Sequence, residues 1–194
     1  YQMLGEVEKI FKKWSPAIFI GWSNIGFDDE MIRKEFFKGI RYPYITNSSP
    51  NKRHDGLNIA RAAYAVDNSI LKTEINEKGN AVMKLESLAR MNDFETAGAH
   101  SALFDAELTM KILSLIKKKQ PDAWDNFLKT SNKLDTETIF KKEKIITLNE
   151  YFYGKSRLYL CAPLHPKNCI HPIYQWGQAV DLRVDVESLL NLSV

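Results

Sequence analysis

Near the start of the chain, apolar residues recur at helical spacing. Val7, Ile10, Phe11 and Trp14 fall on one face, which predicts an amphipathic helix over Gly5–Trp14. After Pro16 the period changes. Ala17-Ile-Phe-Ile-Gly-Trp-Ser23 is a continuous β-favouring run, the pattern of an interior strand covered on both faces. It leads into Asn24-Ile-Gly-Phe-Asp-Asp-Glu30, where Gly26 permits a turn and Asp28 or Asp29 is placed to cap a helix over Glu30–Phe37. Tyr42 to Asp55 contains Pro43, Pro50 and several Asn and Ser residues, and reads as a long loop. Helical patterning returns over Leu57–Val66 and Lys84–Met91, after a turn at Glu77–Asn80. The strongest helix runs from about Ser101 to Lys118. Leu103, Leu108, Ile112 and Leu115 form its apolar side, and Lys117, Lys118 and Lys119 complement the negative end of its dipole.

Beyond Gln120-Pro121 the text becomes a lysine-bearing helical linker. From Leu158 it alternates short apolar runs with Pro and Gly turns, predicting strands at Leu158–Ala162, Ile173–Trp176 and Gln178–Leu182. The expected organisation is a first domain over 1–119, a linker over 120–145 and an incomplete β module over 146–194. The chain opens with Tyr1 and stops at Val194 inside an apolar stretch, so both ends read as cut.

With 194 residues and 44% hydrophobic composition, the chain has apolar material for one sizeable core or slightly more. The formal charge of +3 is too small to imply nucleic-acid binding unless it is clustered. It is clustered: Arg33 to Arg61 holds seven basic residues against two acidic ones, although such a run is also what a solvated basic face looks like. Cys161 and Cys169 are the only cysteines, and no signal peptide or long apolar span is visible. The expectation is a cytoplasmic monomer with no membrane role.

Phosphodiester hydrolysis at a two-metal site needs carboxylates converging on cations roughly 3.5–4 Å apart, with a base to deprotonate water. Asp28 follows a strand and a tight turn, Asp105 lies within the long helix, and His100 lies just before it. Five residues of separation is about 140° on an ideal helix, so His100 and Asp105 share a face only if His100 belongs to the preceding turn. Singly, such residues are more often a helix cap and a surface histidine. Cys161, His165, Cys169 and His171 are zinc-capable types, but without the close cysteine spacing of a zinc site they read as strand cysteines and loop histidines.

Together the residues are more specific. His100-Ser-Ala-Leu-Phe-Asp105-Ala106 fits H-x-A-x-x-D-A, and Asn24-Ile-Gly-Phe27-Asp28 fits an Asn followed by Phe-Asp at a strand exit. In this the chain resembles the DEDDh (DnaQ-like) 3′–5′ exonucleases. The strings Gly21-Trp-Ser-Asn-Ile-Gly-Phe-Asp-Asp-Glu30, Pro43-Tyr44, Ile59-Ala-Arg61-Ala-Ala-Tyr64 and Ala162-Pro-Leu-His-Pro-Lys-Asn168 narrow the resemblance to the exonuclease I branch, over nearly the whole chain.

The resemblance implies an α/β, RNase H-like exonuclease domain lacking its first strands, followed by a partial SH3-like β module. It implies removal of 5′-mononucleotides from the 3′ end of single-stranded DNA, in DNA repair and recombination. Two Mg²⁺ ions, or Mn²⁺, would be the cofactors. Asp28 and Asp105 would be metal carboxylates and His100 the general base. Arg33, Tyr44, Arg61 and Lys84 would contact the single strand, by cations on phosphates and a ring under a base. Lys84 stands where an arginine is expected, which removes bidentate phosphate clamping there. Single-stranded DNA-binding protein is the implied partner. The family's opening Asp-x-Glu motif has no counterpart upstream of Asp28. Asp93-Phe-Glu95 copies its letters between two helical segments, where it reads as a decoy. The alternatives are another DEDDh nuclease, either a proofreading subunit or an RNase on short RNA, and a catalytically silent nucleic-acid-binding remnant.

Overall fold

The computed structural model describes residues 2–97, 101–185 and 187–188. It divides into two units, Tyr1–Asn132 and Lys133–Val194. The first is α/β. Helix α1 (Gln2–Trp14) precedes strand β1 (Ile18–Gly21), helix α2 (Asp28–Lys38), strand β2 (Lys52–Asp55) and helices α3 (Gly56–Val66), α4 (Leu85–Met91), α5 (Ala102–Lys119) and α6 (Pro121–Leu128).

Strands β1 and β2 pair in parallel, Ile18 opposite Lys52 and Gly21 opposite Asp55. β2 lies in the segment expected to be loop. Its sequence, Lys-Arg-His-Asp, carries no apolar signal, and its pairing comes from the β1 backbone instead. β1 is shorter than the predicted run. Among the described residues it has one hydrogen-bonded neighbour, and Ile18 is exposed, so the expected cover on both faces is not seen here.

The core lies between α3, α4 and α5. Ile59, Ala60, Ala63, Leu88, Ile112, Leu113 and Ile116 are buried with Ile70 and Leu71, and Trp124, Phe127 and Leu128 of α6 pack against them. Each fully buried Leu or Ile contributes about 1.5–3 kcal/mol. The buried face of α5 is Leu108, Thr109, Ile112, Leu113 and Ile116. Leu103, expected on that face, is 73% exposed, because the helix begins at Ala102 and its first turn projects beyond the core. The expected turn at Glu77–Asn80 is present: the Asn76 side chain accepts from the amides of Lys78 and Asn80, closing an Ile75–Ala81 bridge.

The second unit has helix α7 (Lys133–Lys142) and strands β3 (Ile146–Phe152), β4 (Lys155–Pro163) and β5 (Ala179–Asp181), antiparallel in the order β3-β4-β5. Tyr153 and Gly154, both at positive φ, make the two-residue turn between β3 and β4. Phe140, Ile146, Cys161 and Cys169 form its core. Ile173–Trp176, expected as a strand, is a turn instead. The side chain of His171 accepts from the amides of Ile173 and Tyr174, which closes the backbone after Pro172 into a turn.

Candidate active site

The chain leaves β1 at Gly21 and turns sharply. A Cβ on Gly21 would stand 2.8 Å from Cβ of Asn24, so the turn needs glycine there. The Asn24 carbonyl accepts from the amides of Phe27 (3.2 Å) and Asp29 (3.0 Å). The Asp55 carboxylate ties the same turn to α3, accepting from the amides of Ser23 and Leu57, both at 2.9 Å.

This turn delivers Asp28 and Asp29 into the first turn of α2, where the helix dipole favours carboxylates. Neither is the cap that the sequence suggested: Phe27 occupies that position and no side chain caps the helix. Asp29 is buried against Asn24 Nδ2 (3.2 Å) and Arg53 of β2 (3.3 Å). Burial pushes its carboxyl above the usual range, and the Arg53 guanidinium pulls it back only in part. Asp28 is exposed.

Asp28 faces a cleft of about 1240 Å³ whose walls also include Ile18–Gly21 of β1, Lys84 and Glu86 at the start of α4, and Asp105, Thr109 and Lys117 of α5. The cleft thus brings together Asp28, Asp105 and Lys84. Asp105 lies in the first turn of α5, after the Ser101 side chain caps that helix by accepting from the Phe104 amide. Lys84 is exposed at the head of α4. His100 lies outside the described residues. Glu86 and Lys117 were not singled out from sequence. The signal for Lys117 is the i,i+4 row Asp105, Thr109, Leu113 and Lys117 of α5, all four of which line the cleft.

Arg33 and Tyr44 meet outside the cleft lining. The guanidinium lies 5.2 Å from the ring centroid while donating to Glu30 at 2.6 Å. Arg61 lies on α3 and donates to Asn58. The basic cluster is not a bare cationic wall. Arg33, Lys38, Arg41 and Arg53 are paired with Glu30, Glu35, Glu8 and Asp29 respectively. Asp93, of the decoy motif, lies in a left-handed turn after α4 and pairs with Lys72 at 3.0 Å.

Among the described residues no group of three or more His, Cys, Asp or Glu side chains is arranged to hold a metal ion. Two hard oxygen donors on one cleft still suit Mg²⁺, which is commonly held by one or two carboxylates with water and substrate phosphates completing the shell. In the second unit, Cys161 and Cys169 are packed in the core, and burial raises the Cys161 thiol. His165 and His171 use Nδ1 to accept local amides. Among the described residues no helix is long and apolar enough to cross a membrane.

No family model matches the chain. It is 33% identical over 186 residues to exodeoxyribonuclease I of Buchnera aphidicola subsp. Acyrthosiphon pisum, a match covering 92% of this chain and 44% of that protein. Escherichia coli exonuclease I in complex with a dA16 oligonucleotide superposes with a TM-score of 0.79 at 26% identity, over 98% of this chain and 41% of that one. The zinc-bound form of the Escherichia coli exonuclease I–single-stranded DNA complex gives 0.74 at 26%, with the same coverage. The chain therefore spans about two fifths of the length of the relatives it matches.

Proposed function

We propose, from the premise that this chain belongs to the exodeoxyribonuclease I family, that it supplies one wall of the active site of a 3′–5′ exonuclease acting on single-stranded DNA. The observation that carries the reading is the shared cleft. Asp28 and Asp105 come from distant stretches, and each heads a helix whose first turn opens on the same space.

In this reading Asp28 and Asp105 hold divalent cations, Mg²⁺ or Mn²⁺. When bound, the cations lower the pKa of water and offset charge on the leaving 3′ oxygen. His100, as the motif implies, takes the proton from the attacking water. Lys84 and Lys117 offer charge to the phosphates along the cleft. Arg33 and Tyr44 provide a rigid cation and ring pair for the strand outside it. In this reading the family's Asp-x-Glu strand pairs with β1. β1 lines the cleft with only one strand neighbour among the described residues, which leaves room for that pairing. A truncated RNase H-like domain and a partial SH3-like module are the finer fold reading, and single-stranded DNA-binding protein is the partner that the resemblance implies.

The test uses a protein carrying the Asp-x-Glu strand together with this sequence, and a labelled single-stranded oligonucleotide with Mg²⁺. Asp105→Ala is expected to slow degradation on the order of a thousandfold, several kcal/mol of lost metal assistance, while oligonucleotide binding persists. Full activity in that variant would refute the assignment.

A second reading, a nucleic-acid-binding piece with no hydrolysis of its own, is favoured by the lack of a three-ligand metal group among the described residues. It is separated from the first by activity in the longer protein.

A further inference from the structure

The turn that replaces the expected strand in the second unit carries three aromatic rings in a ladder. His171 and Tyr174 lie with ring centroids 4.8 Å apart, and Tyr174 and Trp176 stack at 4.8 Å with 22° between planes. Stacked rings of this size are normally buried, yet Tyr174 is 60% and Trp176 67% exposed.

The ladder is held in place from below. The His171 amide donates to the Trp176 carbonyl (2.8 Å), and His171 Nδ1 accepts from two amides. Gln175, in the left-handed region at φ 59°, is held by its amide on the His171 carbonyl and its side chain on the Pro172 carbonyl. At the base of the turn, Gly177 sits against the Phe140 ring. A Cβ there would come within 2.5 Å of that ring, so the turn is anchored on the core at a point only glycine fits.

From Tyr151 to Val180 the sequence contains Lys155, Arg157 and Lys167 and no Asp or Glu. Arg157 stands opposite Glu150 in the β3–β4 register, so the cation that the ladder's own turns offer is Lys167. The Lys167 turn is joined to the ladder's base by Gln178, whose amide donates to the Cys169 carbonyl and whose side chain donates to the Asn168 carbonyl. With Nδ1 accepting, His171 carries its proton on Nε2, which makes that atom a donor.

We propose that the His171–Tyr174–Trp176 ladder is a base-stacking platform for single-stranded nucleic acid, in which a base stacks on the Trp176 ring and extends the ladder. The proposal takes its ligand from the nuclease reading. An open π-face is sequence-tolerant, as a nuclease substrate requires, and Lys167, on the turn joined to the ladder's base, suits a phosphate backbone. A rigid, preformed ladder binds without ordering cost.

The experiment measures binding of a fluorescein-labelled oligothymidylate to the whole chain by anisotropy at low salt. Trp176→Leu keeps apolar bulk and removes the π-face. It is expected to weaken binding roughly 5- to 100-fold, with Tyr174→Leu acting in the same direction and Trp176→Phe recovering most of the loss. Arg33→Ala, in the other unit, separates the two claims. If Arg33→Ala weakens binding and Trp176→Leu does not, the platform is overturned and the nuclease reading stands. If Trp176→Phe is as weak as Trp176→Leu, stacking is overturned as the cause. If the unaltered chain fails to bind the oligonucleotide, the platform falls, and the nuclease reading is decided by degradation in the protein carrying the Asp-x-Glu strand.

Discussion

Asp28 and Asp29 are consecutive, share the first turn of α2 and have opposite surroundings. Asp29 is buried, tied to Asn24 and Arg53, and pays a desolvation cost. Asp28 stands exposed on the cleft with Asp105 across the same space. The turn therefore has a structural back and a chemical front. The back fixes where the front points, through bonds from Asn24, Asp29, Arg53 and Asp55 that tie the turn to β2 and α3.

That division can be broken by substitution. The largest effect on stability is expected for Arg53→Ala, which leaves Asp29 without its cation. Both side chains are mostly buried, at 22% and 6% exposure, so a loss of about 1–3 kcal/mol should appear as a lower urea midpoint. Next is Asp55→Ala. It removes the cap of α3 and a second amide acceptor at Ser23, and should cost about 1–2 kcal/mol in the same measurement. Asp28→Ala is the contrast. An exposed carboxylate whose structural part is confined to the α2 dipole should change stability by about 0.5 kcal/mol or less. A loss as large as that of Arg53→Ala would erase the distinction between the two faces.

The smallest effect is a change of slope with pH. The Asp29 carboxyl is raised in the folded chain, so its contribution to stability is full below the ordinary aspartate value and is lost as pH rises through the raised value. Asp29→Asn removes that titration. Urea unfolding across the acid range should show the difference in stability between the unaltered chain and this variant falling as pH rises, and a flat or rising difference would contradict it.

Much of the first unit was legible in the sequence because helices α3, α4 and α5 bury periodic faces, and that period is what sequence reading detects. β2 was not legible, since Lys-Arg-His-Asp forms a strand through backbone pairing and its side chains say nothing of it. The reverse error came at Ile173–Trp176. Its β-favouring residues suggested a strand, but Pro172 and the amides captured by His171 turn the chain back. At the site, the sequence marked Asp28, Asp105 and Lys84, and the structure sets all three on one cleft. The sequence left Asp28 and Asp29 open as caps of α2, and the turn's geometry makes neither a cap and buries Asp29. It also could not show that Arg33, Lys38, Arg41 and Arg53 of the basic cluster are matched to acids.

Whether Asp28 and Asp105 work at one site is the claim on which the functional reading stands, and a double-mutant cycle measures it directly. In a protein carrying the Asp-x-Glu strand, Mg²⁺-dependent degradation of a single-stranded oligonucleotide is followed for Asp28→Ala, Asp105→Ala and the double variant. Residues that act as a unit lose their effect only once, so the double variant should be about as slow as the slower single variant. Rate losses that multiply across the two positions would mean two independent sites and would contradict the account.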